Sequence, residues 1–182
     1  ASIRVRSIEH CVQGMELSHA VGAPFFSAHA GFCLDPRPTE LGHRLEQPRQ
    51  IDKAQHWQCF TEAVREVLWR TRHLPTGFLI ENNVLAPMNH HADGTVPLLC
   101  VEAGEQLALL EEVGDARLGL LLDTAHLKVS ARTLGFDAEG AARAAAGDAL
   151  HLDHQRHVVG GVAVNDALLP KHGAHVRRGR RV

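Results

Sequence analysis

The 182-residue chain contains no tyrosine, four cysteines and no apolar run of the ~20 residues that a membrane-spanning helix needs. Its cysteines, Cys11, Cys33, Cys59 and Cys100, are scattered and form no Cys-x-x-Cys pair. That spacing argues against a zinc finger or a dithiol redox site and favours reduced thiols buried as small hydrophobes. The N-terminal stretch lacks the basic-then-apolar form of a secretory leader, so a cytoplasmic location is the expectation. Neither sign of charge prevails, with 19 lysines and arginines against 21 aspartates and glutamates. A formal net charge of -2 offers no general attraction to nucleic acid or to an anionic membrane surface. No repeat of fixed period and no low-complexity linker interrupts the chain.

What is present is an ordinary globular balance, 45% hydrophobic and 22% charged, in a length that suits one domain. We expect residues 1–170 to form that domain and 171–182 to be a basic tail carrying Arg177, Arg178, Arg180 and Arg181. Fourteen histidines set against no tyrosine is a biased usage that makes each histidine worth weighing.

Helical and strand-like segments alternate. Ser7 is a candidate N-cap for a helix through "CVQGMELSHAVGA", with Ile8, Val12, Met15 and Ala20 apolar and Gly22 at its end. "APFFSAHAGF" reads as a strand followed by a loop from Asp35 to Pro48. A helix is expected over about Ile51 to His73, with Ala54, Phe60, Ala63, Val64, Val67 and Leu68 as its inner face. "TGFLIENNV" is the next strand, "EAGEQLALLEEVG" a helix stopped by Gly114, "ARLGLLLDTAH" a strand, "DAEGAARAAAG" a helix and "DALHLDH" a fourth strand. Strands apolar on both faces, alternating with helices, mean a parallel sheet with outer helices and so an α/β fold. A doubly wound sheet and a (β/α) barrel both fit this pattern.

In either fold, function gathers at the carboxyl ends of the strands. His29 ends the first, Glu81 the second, Asp123 the third with His126 three residues on, and His151 the fourth with Asp153 close by. Each alone has a plain structural reading: a strand-end histidine is commonly a hydrogen-bonded rim residue, and Glu81 can pair with a lysine or arginine. The joint placement is harder to read as packing. A carboxylate such as Asp123 at the end of a buried strand needs a partner, and a cation is the simplest one that also satisfies His126. Imidazole and carboxylate together suit Zn2+, Mn2+, Fe2+ or Co2+. His90 and His91, beside Asn89 and Asp93, read as solvated loop residues, and His172 and His175 belong to the basic tail.

The stretches "FFSAHAGF", "FLIENNV", "LGLLLDTAHLKVSA" and "ALHLDH", in this order and at one βα unit each, resemble the xylose isomerase-like TIM barrels. This superfamily of sugar isomerases and epimerases also includes endonuclease IV-type repair enzymes. The resemblance covers Phe25 to His154. It implies a partial (β/α)8 barrel, beginning after the family's second strand, and a divalent metal (Mn, Mg, Co or Zn). Glu81 matches a metal-ligating glutamate that also serves as acid or base. Asp123, His126 and His151 match further ligands. His29 matches a histidine that ligates metal in the endonuclease branch and contacts substrate in the sugar branch. The family's last strand supplies another glutamate, and this chain has none after His151. The implied activity is a metal-dependent sugar or sugar-phosphate isomerase or epimerase acting by proton transfer next to a carbonyl. A phosphodiester hydrolase on abasic DNA and a non-catalytic barrel fragment, including one completed by a second copy, are the alternatives. A small sugar-like substrate is the expected partner, with no membrane and with nucleic acid disfavoured by charge.

Overall fold

The computed structural model describes residues 2–45, 51–145 and 162–164. Among these residues, four parallel strands lie in the order β1 (Phe25–His29), β2 (Gly77–Glu81), β3 (Leu118–Leu122) and β4 (Val162–Val164), each beside its neighbour in sequence. This sequential order decides between the two α/β architectures. A doubly wound sheet reverses direction partway and places early strands between later ones. A barrel adds each βα unit on the same side of the last. The chain is a partial (β/α)8 barrel. Among the described residues, no helix is long and apolar enough to cross a membrane.

Helices α1 (Ile3–Ala20), α2 (Lys53–Arg70), α3 (Ala103–Val113) and α4 (Thr124–Leu134) accompany the strands, and residues 138–145 are also helical. α1 begins a turn earlier than the Ser7 cap predicts. Ser2 is the N-cap, its hydroxyl accepting the Val5 N–H at 3.4 Å. The added turn carries Arg4, which lies 3.8 Å from both Glu62 and Glu66 of α2, so helix–helix contact favours the longer form. α2 is shorter than expected. Asp52 caps its start by accepting the Gln55 N–H, and Arg117 closes its end by donating to the carbonyls of Leu68 and Thr71. Val64, Val67 and Leu68 are buried as expected, whereas Ala54 is exposed in the first turn and Thr61 takes a fully buried place, its hydroxyl donating to the Gln58 carbonyl. α3 ends at Gly114 in the left-handed conformation, φ 68°, which glycine adopts without steric cost.

Met15, Leu68, Ile80, Leu109 and Leu120 are all nearly or fully buried, and they place the core between the helices and one face of the sheet. Truncating one such leucine to alanine typically costs about 2–5 kcal/mol. Gly14 permits the close approach of α1 to β1. A Cβ there would sit 2.5 Å from the Phe26 ring, which in turn stacks on Phe78 at 5.9 Å.

Two further expectations change. The third strand stops at Leu122, and "TAH", expected as its end, is instead the first turn of helix α4. The place beside β3 assigned to the strand ending at His151 is taken by Val162–Val164. His151, Asp153 and the basic stretch 171–182 lie outside the described residues. Of the cysteines, Cys33 and Cys100 are buried, Cys11 is half-buried and Cys59 is exposed. Burial pushes the Cys33 thiol up to about 11 and the Cys100 thiol further. The His90–His91 loop is more tied down than a solvated rim. Asn89 is buried, accepting the Leu45 N–H at 2.8 Å and donating to the His43 carbonyl, and His91 Nε2 is buried without a hydrogen-bond partner.

Candidate metal centre

Register places the first two side chains. His29 and Glu81 are paired residues at the ends of β1 and β2, so their side chains leave the sheet on the same face. His29 Nε2 lies 3.8 Å from Glu81 Oε2. His126 comes from a different device. Asp123 follows β3 directly and is the N-cap of α4, its Oδ1 accepting the N–H groups of Ala125 at 2.7 Å and His126 at 3.0 Å. The cap turns the chain so that His126, in the first helical turn, points back over β2. Its Nδ1 lies 2.9 Å from the Asn82 carbonyl oxygen and 3.6 Å from Glu81 Oε1. A carbonyl only accepts, so Nδ1 carries a proton, and in the neutral ring Nε2 keeps its lone pair.

One ligand atom each from His29, Glu81 and His126 lies within 4.8 Å of the others. Two donors on one ion with bonds of ~2.1 Å stand at most about 4.2 Å apart, so the three lie close to the spacing that a shared ion needs. The donor set of two imidazoles and a carboxylate fits a divalent transition metal. Asp123 stands one step aside. Its Oδ1 is engaged by the α4 N-terminus, and its Oδ2 is 3.9 Å from His126 Nε2. The partner that the sequence reading sought in a cation for Asp123 is therefore, at least for one oxygen, a helix N-terminus, where a carboxylate is stabilised by N–H groups and the helix dipole. His29, expected as a substrate contact, joins Glu81 and His126 where Asp123 was expected as a ligand.

Two asparagines that the sequence reading passed over hold the strand ends. Asn82 and Asn83 are both buried. Asn82 Oδ1 accepts the Asp123 N–H at 2.7 Å while its Nδ2 donates to the Asp123 carbonyl at 3.1 Å. Asn83 Nδ2 donates to the carbonyls of Ala30, Gly31 and Leu99. Consecutive amides directly after an apolar strand are the sequence signal that could have marked them, because buried amides must find partners. α4 is fixed from its other end by Ser130, which accepts the Leu85 N–H, and by Thr133, which donates to the Leu85 carbonyl.

A cavity of about 620 Å³ lies on the other face of the sheet, between α1, α2 and β1. It is lined mostly by apolar side chains and reaches His29 at its rim, but Glu81 and His126 do not line it. It is separate from the space the triad faces.

The sequence matches no protein-family model and no curated protein. Solved structures do match. A D-tagatose 3-epimerase-like protein superposes with TM-score 0.58 at 11% identity, over 90% of this chain and 49% of its own. D-psicose 3-epimerase from Clostridium cellulolyticum H10, solved with D-tagatose, gives TM-score 0.54 at 16% identity over 89% and 56%. L-ribulose 3-epimerase gives 0.53 at 15% identity over 92% and 57%. This chain spans about half the length of the structures it matches. At such identities the likeness shows the fold alone, a (β/α) barrel, which is the fold that the resemblance of the strand-end motifs implies.

Proposed function

We propose that the chain is the metal-ligating part of a sugar or sugar-phosphate isomerase or epimerase that moves a proton next to a carbonyl. The observation that carries this reading is the convergence of His29, Glu81 and His126 at the carboxyl ends of barrel strands. The fold, shared with structures named as sugar 3-epimerases, supports it. His29, Glu81 and His126 would hold a divalent ion such as Mn2+, Mg2+, Co2+ or Zn2+, with Asp123 beside them. His151 is proposed as a further ligand on the sequence resemblance alone. The chemistry such an ion supplies when bound is withdrawal of charge from a substrate carbonyl oxygen, which acidifies the neighbouring C–H.

The chain's own groups do the rest. Glu81, with side-chain exposure of 17%, takes the α-proton with one carboxylate oxygen. His126 is held in one tautomer by the Asn82 carbonyl. His29, more exposed at 56%, is placed to hydrogen-bond a substrate hydroxyl. Glu81 is the triad's one carboxylate, so removal and return of the proton on the same face are expected to outpace inversion.

The test is solvent exchange. In D2O with Mn2+ and a panel of ketoses and ketose phosphates, proton NMR should show loss of an α-proton signal that Glu81→Gln abolishes. Equal exchange by wild type and Glu81→Gln would reject the reading.

A further inference from the structure

Asn82 is fully buried, yet its side chain contributes nothing to the β2–β3 ladder. It satisfies both backbone groups of one residue, Asp123, accepting from its N–H at 2.7 Å and donating to its carbonyl at 3.1 Å. Its own backbone carbonyl accepts from His126 Nδ1 at 2.9 Å. Residue 82 thus grips both ends of the turn that carries His126, and it is covalently next to Glu81. The ladder is weak at this point, with the Asn82 N–H reaching the Leu121 carbonyl at 3.4 Å. The side-chain clamp is what spaces Glu81 from the start of α4.

We infer that Asn82 is the positioning residue of the triad, setting the separation of Glu81 from His126 and the tautomer of His126. This rests on the triad being a metal site. Partners that orient a metal ligand typically contribute ten- to a hundredfold in affinity, because each lost constraint lets the ligand sample unproductive orientations. Asn82→Asp keeps the shape and the acceptor but turns the donor facing the Asp123 carbonyl into a second acceptor. Asn82→Ala removes the clamp outright. Ser130→Ala is the control. It leaves the buried Leu85 N–H without its acceptor on the same helix α4, and touches no triad residue.

Cobalt titration followed by visible absorption, with melting temperature measured in parallel, separates positioning from plain stability. Expected is a ten- to hundredfold weaker Co2+ affinity in folded Asn82→Asp and Asn82→Ala. Ser130→Ala should lose melting temperature while binding Co2+ within about twofold of wild type. Folded Asn82 variants that bind as tightly as wild type overturn the inference and leave the triad reading intact. Wild type that binds no Co2+ overturns the triad reading. In that case ring-nitrogen NMR without metal still decides the tautomer claim. A proton fixed on His126 Nδ1 in wild type supports it, since the acceptor is the residue-82 backbone carbonyl that Asn82→Ala keeps, and a proton on Nε2 or shared between the two nitrogens rejects it.

Discussion

The two histidines on either side of Glu81 are held in very different ways. His126 sits in the first turn of a capped helix, its ring tied to the Asn82 carbonyl and its side chain 24% exposed. His29 sits at the end of β1, which has a strand neighbour on one side only among the described residues, and the side chains of that strand alternate between exposed and half-buried. Both come within 4 Å of a Glu81 oxygen. Proximity is therefore shared, whereas constraint is not. A ligand mounted on a helix cap inherits the rigidity of several backbone bonds, but a strand-end ligand at a sheet edge depends on its own rotamer.

The sharpest test of this contrast is a pair of alanine substitutions read by Co2+ affinity. His126→Ala is expected to cost about a hundredfold and His29→Ala about tenfold, since the oriented ligand contributes more. Equal losses would mean that the constraint does not matter. Asp123 distinguishes capping from ligation. Asp123→Ala should lower stability by about 1 kcal/mol through the lost cap, while Asp123→Asn, which keeps an acceptor oxygen, should lose only a few tenths. If Asp123→Asn keeps its melting temperature yet binds Co2+ much more weakly, the second oxygen is a ligand as well. The smallest effect concerns the buried thiols. Burial raises Cys33 from 9.0 to about 11 and raises Cys100 too, so the unfolded chain ionises first. Their contribution is full below pH 9 and is lost as pH rises toward 11. Urea midpoints should fall over that window, with a shallower fall in Cys33→Ala.

Element order was legible because the segments "TGFLIE" and "LGLLL" are continuously apolar and Gly114 marks a helix end. α4 was not read, although its signal was present. Asp123 is a good N-cap residue, but the preceding leucines made "LLLDTAH" look like a strand running on. Ser7 and Ala54 show the opposite error. Local patterning placed a cap and an inner-face residue where the Arg4 contacts to α2 and the exposure of the first α2 turn decided otherwise. For the site, Glu81, His29, His126 and Asp123 could all be named in advance. Which of them share one space could not, because that depends on the pairing of His29 with Glu81 and on the N–H groups that occupy Asp123 Oδ1.

The amino-acid sequence by itself determined that strands and helices alternate and that ionisable residues stand at the strand ends, since both are matters of local pattern along the chain. Only the tertiary structure decided that the strands lie in sequential barrel order and that His29 joins Glu81 and His126 while Asp123 caps a helix. Register and hydrogen-bond competition are settled between segments far apart in the chain, where no local pattern reaches.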